Sequence, residues 1–129
     1  MTVPVWVEKE ALLLLLGKSL ARFGGIEGTR DEGLLDSALA RPRNAYHYDG
    51  LRDVAGLAAS YAFGLAKNHP FADGNKRAAF MAVGLYLGAN GWKLNAEPIE
   101  AIQAVVALAG GGIGEDEFAT WLRLHIKPI

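Results

Sequence analysis

At 129 residues, 51% of them hydrophobic, the chain is long enough to bury a real core and too apolar to be disordered. A net charge of −1, with no long run of cations, argues against direct nucleic-acid binding. The absence of cysteine excludes disulfides, thiolate catalysis and zinc–thiolate sites, and suits a reducing cytoplasm.

Residues 1–129 read as a single domain. A first helix is expected from about Val7 to Phe23, stopped by Gly24-Gly25. It contains five consecutive leucines, Leu12 to Leu16. That run is far short of the roughly 20 apolar residues that span a bilayer, and Glu8 and Glu10 precede it where a secretory signal would be positive. Thr29 to Glu32 fits a capping box with Thr29 as N-cap, so a second helix should follow and end before Pro42. Arg43 to Leu51 reads as irregular or a short hairpin, closing on the turn pair Asp49-Gly50.

Asp53 is placed to cap a third helix, with Val54, Leu57, Ala58, Tyr61, Ala62 and Leu65 at helical spacing. Pro70 biases His69 out of helical dihedrals, so this helix should end near Asn68. A fourth helix is expected from Gly74 to about Asn90. It is apolar or glycine throughout Ala78–Leu87, the pattern of a helix buried at the centre of its domain. Gly84 and Gly88 within it suggest close approach of a neighbouring helix. Trp92–Asn95 should be briefly extended. Two more helices, about Glu97–Ala109 and Glu115–His125, complete an all-α bundle with at most one small hairpin. His125 suits a surface position at a helix end.

The segment His69-Pro70-Phe71-Ala72-Asp73-Gly74-Asn75-Lys76-Arg77 packs an imidazole, a carboxylate, an amide and two cations between two apolar stretches. Gly74-Asn75-Lys76 opens a helix whose first N–H groups have no internal partner, which makes an anion site. Gly74 lets backbone approach a phosphate. Asn75 can donate to it or simply tolerate a tight turn. Lys76 and Arg77 can neutralise developing charge, and at a helix N-terminus they oppose the dipole unless an anion is present. His69 is the natural general base for a hydroxyl attacking a phosphoryl group. Asp73 can hold a magnesium ion on phosphate oxygens or cap the helix. Phe71 should pin the loop to the core. Tyr46 and His47 are weaker candidates for lining a substrate cleft.

The segment resembles the Fic/Doc family, whose Fic pattern reads H-P-F-x-D/E-G-N-G-R-x-x-R. His69, Pro70, Phe71, Asp73, Gly74, Asn75 and Arg77 match it. Lys76 stands where that pattern has its last glycine, and Phe80 where it has its final arginine. Both departures resemble the death-on-curing (Doc) branch, with H-x-F-x-D-A/G-N-K-R. Arg22–Gly25, Arg30-Asp31, Gly33–Leu35, Ala38–Pro42 and Ala62–Gly64 resemble the same branch in order. One departure is Leu16, where such chains often carry histidine.

The resemblance implies a toxin of a toxin–antitoxin pair that moves the terminal phosphate of ATP, with Mg2+, onto a threonine of elongation factor Tu. His69, Lys76 and Arg77 would be catalytic, Gly74, Asn75, Lys76 and Arg77 would hold the phosphates, and Asp73 the metal. A flap around Tyr46 and His47 would receive the target by strand addition. An antitoxin segment, disordered until it binds, would lie in an apolar groove near Leu13, Leu16 and Leu20. No internal S/T-x-x-x-E-G/N inhibitory element is present, so inhibition should come from another chain. The alternatives are Fic-type nucleotidyl transfer, an RNA-cleaving toxin using His69, Lys76 and Arg77, and a non-catalytic binding module.

Overall fold

The computed structural model describes residues 3–129. Six helices run in the order α1 (Lys9–Phe23), α2 (Glu32–Tyr48), α3 (Val54–Asn68), α4 (Asn75–Ala89), α5 (Pro98–Gly110) and α6 (Glu115–His125). Two short strands, β1 (Trp92–Leu94) and β2 (Ile126–Pro128), pair antiparallel in the register Trp92↔Pro128, Lys93↔Lys127 and Leu94↔Ile126. The all-α architecture expected from the sequence is the one observed. The small sheet is not a hairpin, because α5 and α6 intervene between its strands.

The central helix is α3, not α4. Ala55 through Ala62 are all buried, with Gly64, Leu65 and Ala66 beyond them. Small residues make this possible by letting neighbours approach: at Gly64 an added Cβ would lie 3.2 Å from the Cα of Ala38 on α2. On α4 the apolar sequence misleads, since Phe80 is 40% exposed and Gly84 and Gly88 face open space with no close neighbour.

Caps and prolines set the boundaries of α2 differently from the sequence reading. The N-cap is Asp31, whose carboxylate accepts from the Leu34 N–H at 2.9 Å. Thr29 instead forms a lone antiparallel bridge with Phe71. The helix runs through Pro42 to Tyr48, so no hairpin exists at Arg43–Leu51. An interior proline removes one helical bond, but packing holds the helix in place on both sides of it. Arg41 stacks on Phe63 and pairs with Glu115, and Tyr46 packs edge-on against Trp6 at 5.6 Å. Asp53 does cap α3, accepting from Gly56 N–H at 3.0 Å.

Helix α1 lies against α4 with Leu12, Leu16 and Leu20 buried. Its Lys9 ammonium bridges Asp36 at 2.8 Å and Glu32 at 2.9 Å on α2, and these two carboxylates raise its pKa. The extended segment before α1 is tied down by Asn90, whose amide pairs with both N–H and C=O of Val5, and by Tyr61, whose hydroxyl accepts from Val7 N–H at 3.0 Å. His125 is half-buried rather than a free surface residue, stacked on Trp121 at 4.4 Å between ring centroids.

Candidate active site

The loop from His69 to Gly74 joins the C-terminus of α3 to the N-terminus of α4. His69 takes left-handed dihedrals (φ 49°), the only non-glycine residue with positive φ among the described residues. Such a conformation costs energy and persists only where its surroundings enforce it. Here the restraint comes from the α1–α2 connection. The Arg30 guanidinium donates to the His69 carbonyl, and the N–H groups of Arg30 and Asp31 donate to the Pro70 carbonyl at 2.8 and 3.0 Å. Ala72 N–H in turn donates to the Gly28 carbonyl at 3.0 Å. Phe71 is 3% exposed and anchors the loop in the core, as expected.

Asn75 closes the loop on itself. Its Oδ1 accepts from Phe71 N–H at 2.9 Å, and its Nδ2 donates to the Phe71 carbonyl at 3.1 Å. That orientation leaves Nδ2 facing His69 Nδ1 at 3.4 Å, a weak contact that orients the ring. The carboxamide is thus committed to the loop, and what Asn75 offers a phosphate is its backbone N–H.

Asp73 is not the N-cap of α4. Its Oδ1 accepts from Gly74 N–H at 2.8 Å and its Oδ2 from Ile26 N–H at 3.3 Å. The cap is Gly74, in the left-handed region at φ 81°, and no side chain caps the helix. The left-handed backbone favours glycine at this position, and a Cβ there would sit 3.0 Å from Leu16 Cδ1, a tight contact that the leucine side chain would have to ease. Leu16 and Leu20 therefore support the anion site from below. At 3% and 4% exposure they cannot form a partner groove, and Leu13 is itself partly buried.

The first N–H groups of α4 open into a cleft of about 720 Å³. Six consecutive residues, Ala72 to Arg77, line it together with His69. Neither Lys76 nor Arg77 has an ion-pair partner among the described residues. Arg77 makes only a long 3.4 Å contact to the Gly24 carbonyl. Two unpaired cations at the positive end of an uncapped helix form a site for an anion of high charge.

The chain belongs to the Fic/Doc family. The sequence model of that family (Fic/DOC) matches residues 6–87. Protein kinase doc of Escherichia phage P1 is 30% identical over 117 residues, spanning 91% of this chain and 92% of that protein. Toxin Doc of Mycolicibacterium smegmatis is 43% identical over 76 residues, 58% of each chain.

Within this Fic/Doc fold the residues expected at the site divide into two groups. His69, Asp73, Gly74, Asn75, Lys76 and Arg77 are brought together in the cleft. Tyr46 and His47 are not. They lie on the last turn of α2, beside the N-terminus of α3, and α3 separates them from His69 by about 22 Å at 1.5 Å per residue. The Tyr46 ring is half-buried, with the Arg52 guanidinium 3.9 Å from its centroid. The segment that does flank the loop is Gly24–Arg30. Its signal in the sequence was a run of glycines, legible as a helix stop but not as a neighbour of a loop some 45 residues on. Phe80, marked in the sequence only as the replacement of an arginine, lines the cleft together with Ile102 and Val106, whose place there no local pattern reveals.

The donor set suits magnesium. Among the described residues no group of three or more His, Cys, Asp or Glu could cage a metal. Magnesium bound beside nucleotides takes one or two carboxylates plus substrate phosphates and water, and the exposed Asp73 carboxylate on the cleft meets that need.

No helix among the described residues is long and apolar enough to cross a membrane.

Proposed function

We propose that this chain transfers the terminal phosphate of ATP to a protein hydroxyl, a threonine of a translation factor such as elongation factor Tu, and acts in the cytoplasm as the toxin of a toxin–antitoxin pair. The observation that carries this reading is the pair of unpartnered cations, Lys76 and Arg77, on the uncapped N-terminus of α4 within one cleft with His69.

The chemistry follows from that placement. The acceptor hydroxyl gives its proton to the His69 imidazole as its oxygen bonds to the terminal phosphorus. The bond from that phosphorus to the bridging oxygen breaks, and ADP leaves with the electron pair. Backbone N–H groups of Asn75, Lys76 and Arg77 hold the phosphoryl oxygens, and the two cationic side chains offset the charge spread over them. Asp73 would hold a magnesium ion, which supplies charge neutralisation on the phosphates. The Asn75–His69 contact keeps the base in place between turnovers.

The target is assigned to the Gly24–Arg30 segment. It already pairs as a strand with the loop through Thr29 and Phe71, and it lies against the catalytic residues. An antitoxin segment, disordered when free and helical when bound, is assigned to the apolar surface of Leu15, Phe23 and Ile26. Leu15 and Phe23 are exposed and share a helical face with Ser19, which lines the cleft.

Incubation of the chain with ATP, magnesium and purified elongation factor Tu tests the reaction. Intact-mass measurement should show the target gaining one phosphate, and none with His69→Asn. Gain of a nucleotidyl group would establish Fic-type transfer instead. Expression in bacteria should arrest growth, with relief by a neighbouring antitoxin reading frame. A His69→Asn protein that is equally toxic would remove the catalytic basis of toxicity.

A further inference from the structure

A second depression lies between α2 and α3 and shares no residue with the cleft at α4. Its volume, about 480 Å³, is within the range of small-molecule sites. Its lining is mostly polar, and the two ends differ in charge. At one end the half-buried ring of Phe63 carries two cations. The Arg41 guanidinium carbon is 4.8 Å from the ring centroid and the Lys67 ammonium 6.0 Å. Arg41 is neutralised by Glu115. Lys67 has no ion pair among the described residues, only a long 3.4 Å contact to the Ala109 carbonyl. At the other end stands Asp49, whose carboxylate also has no ion pair among the described residues. Asp49 lies eight positions beyond Arg41, about 12 Å along α2.

Polar groups line the stretch between them. The Asn44 carboxamide and the Ser37 hydroxyl both line the depression. Asn68 gives one N–H to the Leu34 carbonyl at 3.0 Å and keeps its Oδ1 and second N–H. A carboxamide offers both a donor and an acceptor, which is what each peptide unit of a ligand requires.

These groups restrict the ligand. A simple anion would satisfy Lys67 and be repelled by Asp49, and a simple cation would meet the reverse. An apolar molecule would leave both charges and the amides without partners. A zwitterion satisfies both ends if its charges are about 12 Å apart. At roughly 3.3 Å per residue, an extended chain of three or four residues has that span between its terminal amine and carboxylate. We infer that the α2–α3 depression is a binding site for a short zwitterionic peptide, with its carboxylate on Lys67 and its ammonium on Asp49. Asn44, Ser37 and Asn68 pair with the peptide groups between. The site is independent of the phosphotransfer reading.

Amide-shift titration of the isotopically labelled full chain tests this, with trialanine as the probe. Saturable shifts are expected at Ser37, Asn44, Lys67 and Asn68. N-acetyl-trialanine and trialanine amide, each lacking one terminal charge, should bind about fivefold more weakly, the scale of a partly exposed ion pair. Free alanine, whose charges are too close together to reach both ends, should bind at least tenfold more weakly. Lys67→Gln and Asp49→Asn change exposed side chains and should each lower trialanine affinity about fivefold. Lys67→Gln should not alter binding of trialanine amide, and Asp49→Asn should not alter binding of N-acetyl-trialanine, because each blocked peptide already lacks the matching charge. The inference is overturned if these amides show no saturable shift, or if shifts appear only at Gly74–Arg77. Equal affinity for the blocked peptides or for alanine would refute recognition of two separated charges.

Discussion

The two ends of α3 are both rich in aromatic, histidine and cationic residues, yet they differ in how their charges are satisfied. At the N-terminal end Arg123 pairs with Asp53, Arg52 covers Tyr46, and Arg43 lies 5.5 Å over the ring of Trp6. At the C-terminal end Lys76 and Arg77 have no acidic partner among the described residues, and His69 holds a strained backbone conformation. Similar residue types thus serve architecture at one end and leave two unpaired cations on an open cleft at the other. Composition does not separate the two cases; the presence or absence of partners does.

The largest expected effect comes from replacing His69, the proposed base, at one end and its counterpart His47 at the other. His69→Asn should lower phosphate transfer by about 10²- to 10⁴-fold while keeping the fold, because asparagine tolerates the left-handed backbone. His47→Ala should change neither rate nor stability. Tyr46→Ala should cost about 2 kcal/mol of stability, by losing its packing on Trp6, with the rate of the folded protein unchanged. A transfer defect in His47→Ala, measured with labelled ATP at a temperature where the protein is folded, would break the comparison.

Charge reversal sharpens it. Lys76→Glu should cut transfer by about 10²- to 10³-fold, yet raise the stability of the ligand-free protein by roughly 0.5 kcal/mol. The sign of that stability change, read from urea unfolding, separates a cation held for a ligand from one held for the fold. A destabilised Lys76→Glu protein would mean that the lysine has a structural partner.

The sequence disclosed helices better than it disclosed their neighbours. The ends of α3 were legible because Asp53 and Pro70 act locally, and the site loop because its residues are contiguous. Pro42 was misread because contacts distant in sequence, to Phe63, Glu115 and Trp6, hold α2 together across it. The central position of α3 was missed for a related reason: its small residues signal close packing, while the more apolar α4 spends Phe80 on the wall of a cleft. The role of Gly24–Arg30 depends wholly on its hydrogen bonds to a distant loop. Nothing in local periodicity encodes it.

Glycines carry the same lesson at smaller magnitude. Gly64→Ala should destabilise by about 1–3 kcal/mol, because the new methyl meets Ala38 backbone. Gly84→Ala should stabilise by up to about 1 kcal/mol, because nothing lies within reach and alanine is the better helix former. Thermal unfolding of both variants checks the opposite signs.

Smallest is the pH dependence of the structural end. Partial burial pushes the Asp53 carboxyl up, but the Arg123 guanidinium and the Gly56 N–H together outweigh it, so its pKa falls below the ordinary carboxylate value. A carboxyl with a depressed folded-state pKa contributes stability that is present above its unfolded value and lost as pH falls through the folded one. Asp53→Asn, which can still cap, should therefore flatten the loss of stability below about pH 4, by less than about 1 kcal/mol for so exposed a pair.

Titration of ATP and magnesium into the isotopically labelled chain, followed by amide chemical shifts, bears most directly on the division between the two ends of α3. The account predicts saturable shifts at His69, Gly74, Asn75, Lys76 and Arg77, with Tyr46, His47 and Arg52 unmoved. Shifts centred on Tyr46 and His47, with the N-terminus of α4 silent, would contradict it.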